Sequence, residues 1–133
     1  AAAEGEQNLA GGNAFLKTNK DRTGVSVTDS GLQYEVLATG SGPKAQKTST
    51  VTVHYHGTLI DGTMFDSSVD RGEPVEFPVT GVIPGWTEAL QLMSVGDKWK
   101  LFVPANLAYG PAARPKIPGN SVLIFEVELL GIK

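Results

Sequence analysis

Cysteine is absent from this chain. Disulfides, thiolate metal sites and cysteine nucleophiles are thereby excluded, while the compartment stays open because chains in either redox environment can do without it. Histidine is nearly absent, with His54 and His56 the only two. A zinc site takes three or four protein ligands, so this pair could supply at most half of one. No apolar run approaches the roughly 20 residues that span a bilayer as a helix; the longest are stretches such as SVLIF. Positive charge is not in excess either: 11 Lys and Arg against 14 Asp and Glu leave a net charge of -3. Nothing here offers phosphates a basic patch, and nucleic acid is not an expected partner. The glycine-rich phosphate loops G-x-G-x-x-G and the P-loop are missing, as is the G-x-S-x-G nucleophile elbow.

What is present fits one globular domain. The 133 residues are 41% apolar and 19% charged, enough for a single core and too few for two. Residues 1–30 differ from the remainder. AAAEGEQNLAGGNAFLKTNKDR favours a helix in composition, although Gly5, Gly11 and Gly12 weaken it. Its apolar residues Leu9, Phe15 and Leu16 are too sparse for a core-facing stripe, so the expectation is an exposed or frayed helical extension. TGVSVTDSG then reads as a linker. The opening AAAEGEQNLA has neither a charged start nor an apolar segment, so no signal peptide is expected within it. Because the chain opens on Ala rather than Met, a native chain that begins earlier is expected.

From residue 31 to 133 the pattern turns to strands. LQYEVLA alternates briefly. In TSTVTVHYHGTL, Val51, Val53 and Tyr55 fall on one face and Thr52, His54 and His56 on the other. Asp61-Gly62 is a hairpin signal leading into TMFDSS. PVEFPV alternates again, with Pro74 and Pro78 marking it as an edge or irregular strand. IPGWTEALQLM is the one strong helix after the extension: Pro84 suits a first turn, and Trp86, Leu90 and Met93 recur at helical spacing. SVGD reads as a turn and KWKLFVP as a strand. NLAYGPAARPKIPGN is a long Pro- and Gly-rich loop, and SVLIFEVELLGIK is a closing strand with Leu123, Phe125, Val127 and Leu129 on its inner face. The expected fold is α+β: a curved antiparallel sheet, a half-barrel, wrapped across a short α-helix, with an N-terminal helical extension.

The stretch VHYHGTLIDGTMFDSS raises the question of chemistry. His54 and His56 could both face a metal, yet no nearby cluster completes the ligand set. They also lie opposite the apolar face, so two partly exposed strand histidines are the simpler reading. Neither has an evident serine partner for nucleophilic catalysis, and Asp66 has no evident second carboxylate. The sequence is richer in aromatic residues near strand ends and turns. Tyr55, Phe65, Phe77, Trp86, Tyr109 and Phe125 come from separate elements and could serve as plain core or line a pocket.

Read together, VHYHGTLIDGTMFDSS, VIPGWTEALQLMSVGDKWKLFVP, LAYG and LIFEVELL resemble the FKBP-type peptidyl-prolyl isomerases. GWTEALQLM with NAFLKTNK and GLQY is most similar to their bacterial macrophage infectivity potentiator (Mip) branch. The resemblance covers about residues 31–133 and implies rotation of X-Pro bonds in proline-containing polypeptides, without cofactor or metal. It implies Trp86 as the floor of an apolar pocket, with Tyr55, Phe65, Phe77, Val82, Ile83 and Phe125 as walls and Tyr109 and Ile117 on the loop side. Asp66 would sit at the edge, while the Ile83 N–H and Tyr109 hydroxyl would meet ligand carbonyls. Macrolides such as tacrolimus and rapamycin are implied inhibitors, and a proline-peptide binding module or chaperone with little turnover is the alternative. Three positions depart from the family pattern: Arg114 where many members have His, a shortened RPKIPGN loop around Ile117, and Val75 where an aromatic is common. The branch implies the bacterial periplasm or cell envelope, with close relatives in the cytoplasm. It also implies an N-terminal dimerisation domain, so this chain is expected to be a monomer and a longer native chain a homodimer.

Overall fold

A computed structural model of the chain describes residues 2–60, 62–108 and 121–132. Period-two patterning sets the two longest strands. In β3 (Thr50–Leu59), Val51, Val53, Tyr55 and Gly57 are buried while Thr52, His54, His56 and Thr58 are half-buried. In β7 (Leu123–Ile132), Leu123, Phe125, Val127 and Leu129 are buried while Ile124, Glu126 and Glu128 are half-buried. One face of each strand therefore belongs to the core. These strands pair antiparallel from Val51 opposite Ile132 to Leu59 opposite Leu123. The remaining strands are β1 (Val25–Val27), β2 (Gln33–Ala38), β4 (Met64–Ser67), β5 (Val75–Pro78) and β6 (Lys98–Val103). Among the described residues they form a seven-stranded sheet ordered β1-β2-β6-β7-β3-β4, in which β5 also pairs with β3.

Register shifts, one of them between β3 and β4 at Gly57 and Thr58, curl the sheet. The β3–β7 register shifts between Thr52 and Val53, leaving Leu130 as the extra residue, and the β2–β6 register shifts between Val36 and Ala38 around Leu37. Such bulges bend a strand and sharpen its twist, giving the sheet one concave face. Beyond the single-turn helix α2 (Ser68–Arg71), α3 (Pro84–Leu92) lies across that face; it begins with Pro84 in its first turn and buries Gly85, Trp86, Ala89 and Leu90. Gly85 permits the close seat, since a Cβ there would lie 2.6 Å from Val103 Cγ1. Leu90, Met93, Val51, Val53, Val79, Leu101, Leu123 and Leu129 fill the space between helix and sheet. After the helix, the buried Asp97 carboxylate accepts the Ser94 N–H at 2.9 Å and the Gly40 N–H at 2.5 Å. It pins the turn into β6.

The N-terminal segment corrects two expectations. Helix α1 (Ala2–Asn19) is docked, not simply exposed, and it uses the opposite, convex face of the sheet. Gly12, Phe15, Leu16 and Asn19 form its inward stripe. Phe15 packs against Phe102 with ring centroids 6.1 Å apart, and a Cβ on Gly12 would lie 2.7 Å from Val122 Cγ2. Asn19 donates to Gln33 Oε1 at 2.9 Å, and Gln33 donates in turn to the Leu16 carbonyl at 2.9 Å. The expected linker contributes β1, whose Val25–Val27 pairs antiparallel with Gln33–Glu35 of β2. No helix among the described residues is long and apolar enough to cross a membrane.

Candidate active site

Each residue of the concave face reaches the site through its place in an element. Trp86 sits in the first turn of α3, directly after the Pro84-Gly85 pair that lets the helix approach the sheet. Tyr55 and Phe125 are inward residues of β3 and β7; Phe77 comes from β5, which pairs with β3 beside them. Three rings meet Trp86 edge to face: Phe125 at 5.0 Å and 79°, Tyr55 at 5.3 Å and 79°, and Phe77 at 5.6 Å and 89°. The positive edge of one ring on the negative face of another favours these near-perpendicular contacts. Phe65 of β4 extends the wall by meeting Phe125 at 5.4 Å and 89°.

Together with Asp66, Gly81, Val82 and Ile83, these rings line a cavity of about 380 Å³. That volume suits a small ligand or a few residues of peptide. The polar complement is small. The Tyr55 hydroxyl donates to Asp66 Oδ2 at 2.6 Å, a charge-assisted bond that fixes both groups at the wall. Ile83 precedes a proline and takes the extended conformation that proline imposes, φ -59° and ψ 150°. Its carbonyl accepts the Trp86 and Thr87 N–H groups at 3.0 and 3.1 Å, whereas its own N–H finds no acceptor among the described residues. The Trp86 indole N–H is buried and likewise has no acceptor there.

The cavity therefore brings together Tyr55, Phe65, Asp66, Phe77, Val82, Ile83, Trp86 and Phe125, all singled out from the sequence. Tyr109 and Ile117, and the Arg114 departure with them, lie outside the described residues. His54 and His56 lie on the convex face, each with Nδ1 3.0 Å from a serine hydroxyl, Ser68 for His54 and Ser67 for His56. Among the described residues no three His, Asp or Glu side chains are grouped to hold a metal ion.

Two glycines that shape the site were not singled out from the sequence. Gly81 lines the cavity. At Gly57 a Cβ would lie 2.7 Å from Phe65 Cζ and 2.9 Å from Phe125 Cε1, so the bare backbone is what lets those rings meet. The available signal was a glycine in the middle of the most regular strand, where glycine often marks a close approach.

Chemically, the cavity offers an apolar, ring-walled space with one carboxylate held by a phenol. It has no nucleophile–base pair among its described lining residues, since Ser67 and Ser68 bond to the Tyr55 backbone.

Comparisons with known proteins identify the family. The family model described as FKBP-type peptidyl-prolyl cis-trans isomerase matches residues 42–130. A second, described as the domain amino terminal to FKBP-type peptidyl-prolyl isomerase, matches residues 1–36. The FKBP-type peptidyl-prolyl cis-trans isomerase FkpA of Aeromonas hydrophila is 55% identical over 96% of this chain and 47% of its own length. The outer membrane protein MIP of Legionella longbeachae is 54% identical over 96% of this chain and 55% of its own. The chain thus spans about half the length of these relatives. The crystal structure of FkpA from Escherichia coli superposes with a TM-score of 0.96 at 45% identity, over 99% of this chain and 62% of that one. Sheet and sequence agree, and this chain belongs to the FKBP-type peptidyl-prolyl cis-trans isomerase family.

Proposed function

We propose that the domain catalyses cis–trans rotation of X-Pro peptide bonds in polypeptides by binding the twisted amide in the aromatic cavity. The observation that supports this most is the cavity of about 380 Å³ walled by Trp86 and its perpendicular rings, with the Tyr55–Asp66 hydrogen bond on its lining. Resonance across C–N gives amide rotation a barrier of ~18–20 kcal/mol. The twisted transition state has lost that resonance and carries less charge on its carbonyl oxygen. A dry apolar wall therefore disfavours the planar amide more than the twisted one, and only such differential binding raises the rate. Each 1.36 kcal/mol gives tenfold, so an acceleration of about 10⁵ needs about 7 kcal/mol. No covalent step or bound ion has to supply it.

The roles follow from position. Trp86, Phe77, Phe65 and Phe125 hold the proline ring. The Ile83 N–H, without an acceptor among the described residues, takes a substrate carbonyl, and Tyr109 is assigned the second such contact from its place in LAYG. Tyr55 and Asp66 orient the amide and set the local field without transferring a proton. The same cavity would accept tacrolimus and rapamycin.

Location and assembly belong to the proposal as well. A relative bears the name outer membrane protein, which supports the bacterial cell envelope or periplasm over the cytoplasm. From the N-terminal dimerisation domain that the Mip resemblance implies, a homodimer is proposed for a longer native chain and a monomer for this span.

The test is exchange NMR on a Leu-Pro-Phe peptide with micromolar folded protein, with and without tacrolimus. Drug-sensitive acceleration is expected. Drug binding without acceleration would make this a proline-peptide binding module, and the uncatalysed rate with no drug binding would refute the site.

A further inference from the structure

Strands β4 and β5 share the same side of β3, and they do not meet. Strand β5 pairs with Thr50 to Val53 and β4 with His56 to Thr58, so the two strands leave the stretch at His54 and Tyr55 between their registers. A buried backbone without partners is costly, and the chain fills this gap with side chains. The Tyr55 N–H donates to Ser68 Oγ at 2.7 Å. The Tyr55 carbonyl is approached by the Ser68 hydroxyl at 3.3 Å and the Ser67 hydroxyl at 3.4 Å. Both serines are almost wholly buried. Each hydroxyl has a second neighbour through the sheet, His54 Nδ1 on Ser68 and His56 Nδ1 on Ser67, at 3.0 Å.

We propose that Ser68 and Ser67, each oriented by its histidine, are positioning residues that hold Tyr55 in the cavity wall from the convex side of the sheet. A serine hydroxyl has one proton and can accept two bonds, so the histidine tautomer decides where that proton goes. With a bare His54 Nδ1, Ser68 donates to that ring, and the Tyr55 carbonyl is left to Ser67, whose one proton is available to it when His56 carries its own proton on Nδ1. With a protonated Nδ1, the ring donates into Ser68 Oγ and the serine proton turns to the Tyr55 carbonyl. In both arrangements the ring fixes the hydroxyl rotor. The clamp fixes the backbone at Tyr55, and through it the phenol that meets Asp66 Oδ2 at 2.6 Å. The histidines thereby acquire a part in the site without touching substrate.

This inference rests on the proposed isomerase reading, and its test separates the two. His54→Phe keeps the ring shape but removes Nδ1; His54→Asn restores a polar atom near the Nδ1 position. Both are made in the parent chain and in Tyr55→Phe, with kcat, KM and melting temperature measured by exchange NMR and thermal unfolding. His54→Phe is expected to lower kcat/KM about tenfold in the parent, with kcat falling more than KM rises, and His54→Asn to recover most of it. In the Tyr55→Phe background the same change should cost less than about twofold, because coupled residues are not additive. A purely structural histidine would lower the melting temperature and turnover alike in both backgrounds, and that result overturns the clamp. If His54→Phe does not fold, His54→Ala carries the same comparison. Lost turnover in Tyr55→Phe with none lost in His54→Phe overturns the clamp alone. No turnover in the parent chain overturns the isomerase reading and the inference together.

Discussion

Adding one carbon at Gly57 should damage both stability and catalysis, by amounts the ring geometry sets. The Cβ of Gly57→Ala would stand 2.7 Å from Phe65 Cζ and 2.9 Å from Phe125 Cε1, where carbon–carbon contacts relax to about 3.5–4.0 Å. The two rings are nearly perpendicular, at 89°, so neither can slide away without meeting the other. Phe125 is buried and also packs on Trp86, which leaves half-buried Phe65 as the ring that must swing out. Overpacking of this kind costs about 1–3 kcal/mol. Against it, loss of glycine's freedom in the unfolded chain returns about 0.4–1 kcal/mol, because Gly57 is not among the glycines with positive φ. A net loss of about 1–2 kcal/mol would lower the melting temperature by roughly 4–8 °C in a domain of this size. With the Phe65 wall displaced, kcat/KM should fall about tenfold, equivalent to ~1.4 kcal/mol of transition-state binding. Urea unfolding with unchanged slope and exchange NMR on the same samples measure the two effects. A compensating Phe65→Leu should restore much of the stability but not the turnover. An alanine variant with parental stability and turnover would show that the rings do not meet over a bare backbone at Gly57, and the packing argument would fail.

Further substitutions probe other levels of the fold. Trp86→Leu removes the floor, and cavity formation of this size costs up to about 3–5 kcal/mol; turnover should fall below detection while the circular dichroism spectrum is retained, and substantial remaining turnover would remove Trp86 from the site. Asp97→Ala leaves the Gly40 and Ser94 N–H groups without their acceptor, and at roughly 1.5–3 kcal/mol per charged bond it should cost about 3 kcal/mol in denaturant unfolding. A change under about 1 kcal/mol would mean that water replaces the carboxylate. Gly12→Leu should push α1 off Val122 and raise hydrogen exchange at residues 13–19 while isomerase turnover persists. Unchanged exchange there would show that the helix does not need the close seat.

The sequence was legible where burial follows a simple period. Alternation in β3 and β7 and the helical spacing of Trp86, Leu90 and Met93 reported the inner face directly, because every inward position but Gly57 is large and apolar. The cavity residues were harder, since an inward aromatic reads the same whether it fills a core or lines a hollow. Only the ordered motifs favoured the hollow. The docking of α1 was hidden because its inward stripe spends two of four positions on Gly12 and Asn19, which contribute close approach and hydrogen bonding instead of apolar area. Strand β1 escaped for a related reason: Val27 is exposed and Ser26 polar, so backbone pairing with β2 defines it more than burial does. The serine clamp on Tyr55 could not be read at all, because it depends on where β4 stops and β5 starts.

The short border strands have a consequence for the company this protein is proposed to keep. A catalyst working among incompletely folded chains is surrounded by unpaired backbone, and a long free sheet margin would recruit it as a template. Here β1 has three residues, and β4 and β5 have four each. Pro78, at the end of β5, has no N–H to offer. On the proposed reading, clients find little backbone adhesion along the sheet and are held at the cavity, by ring contacts and the Ile83 N–H, one proline at a time.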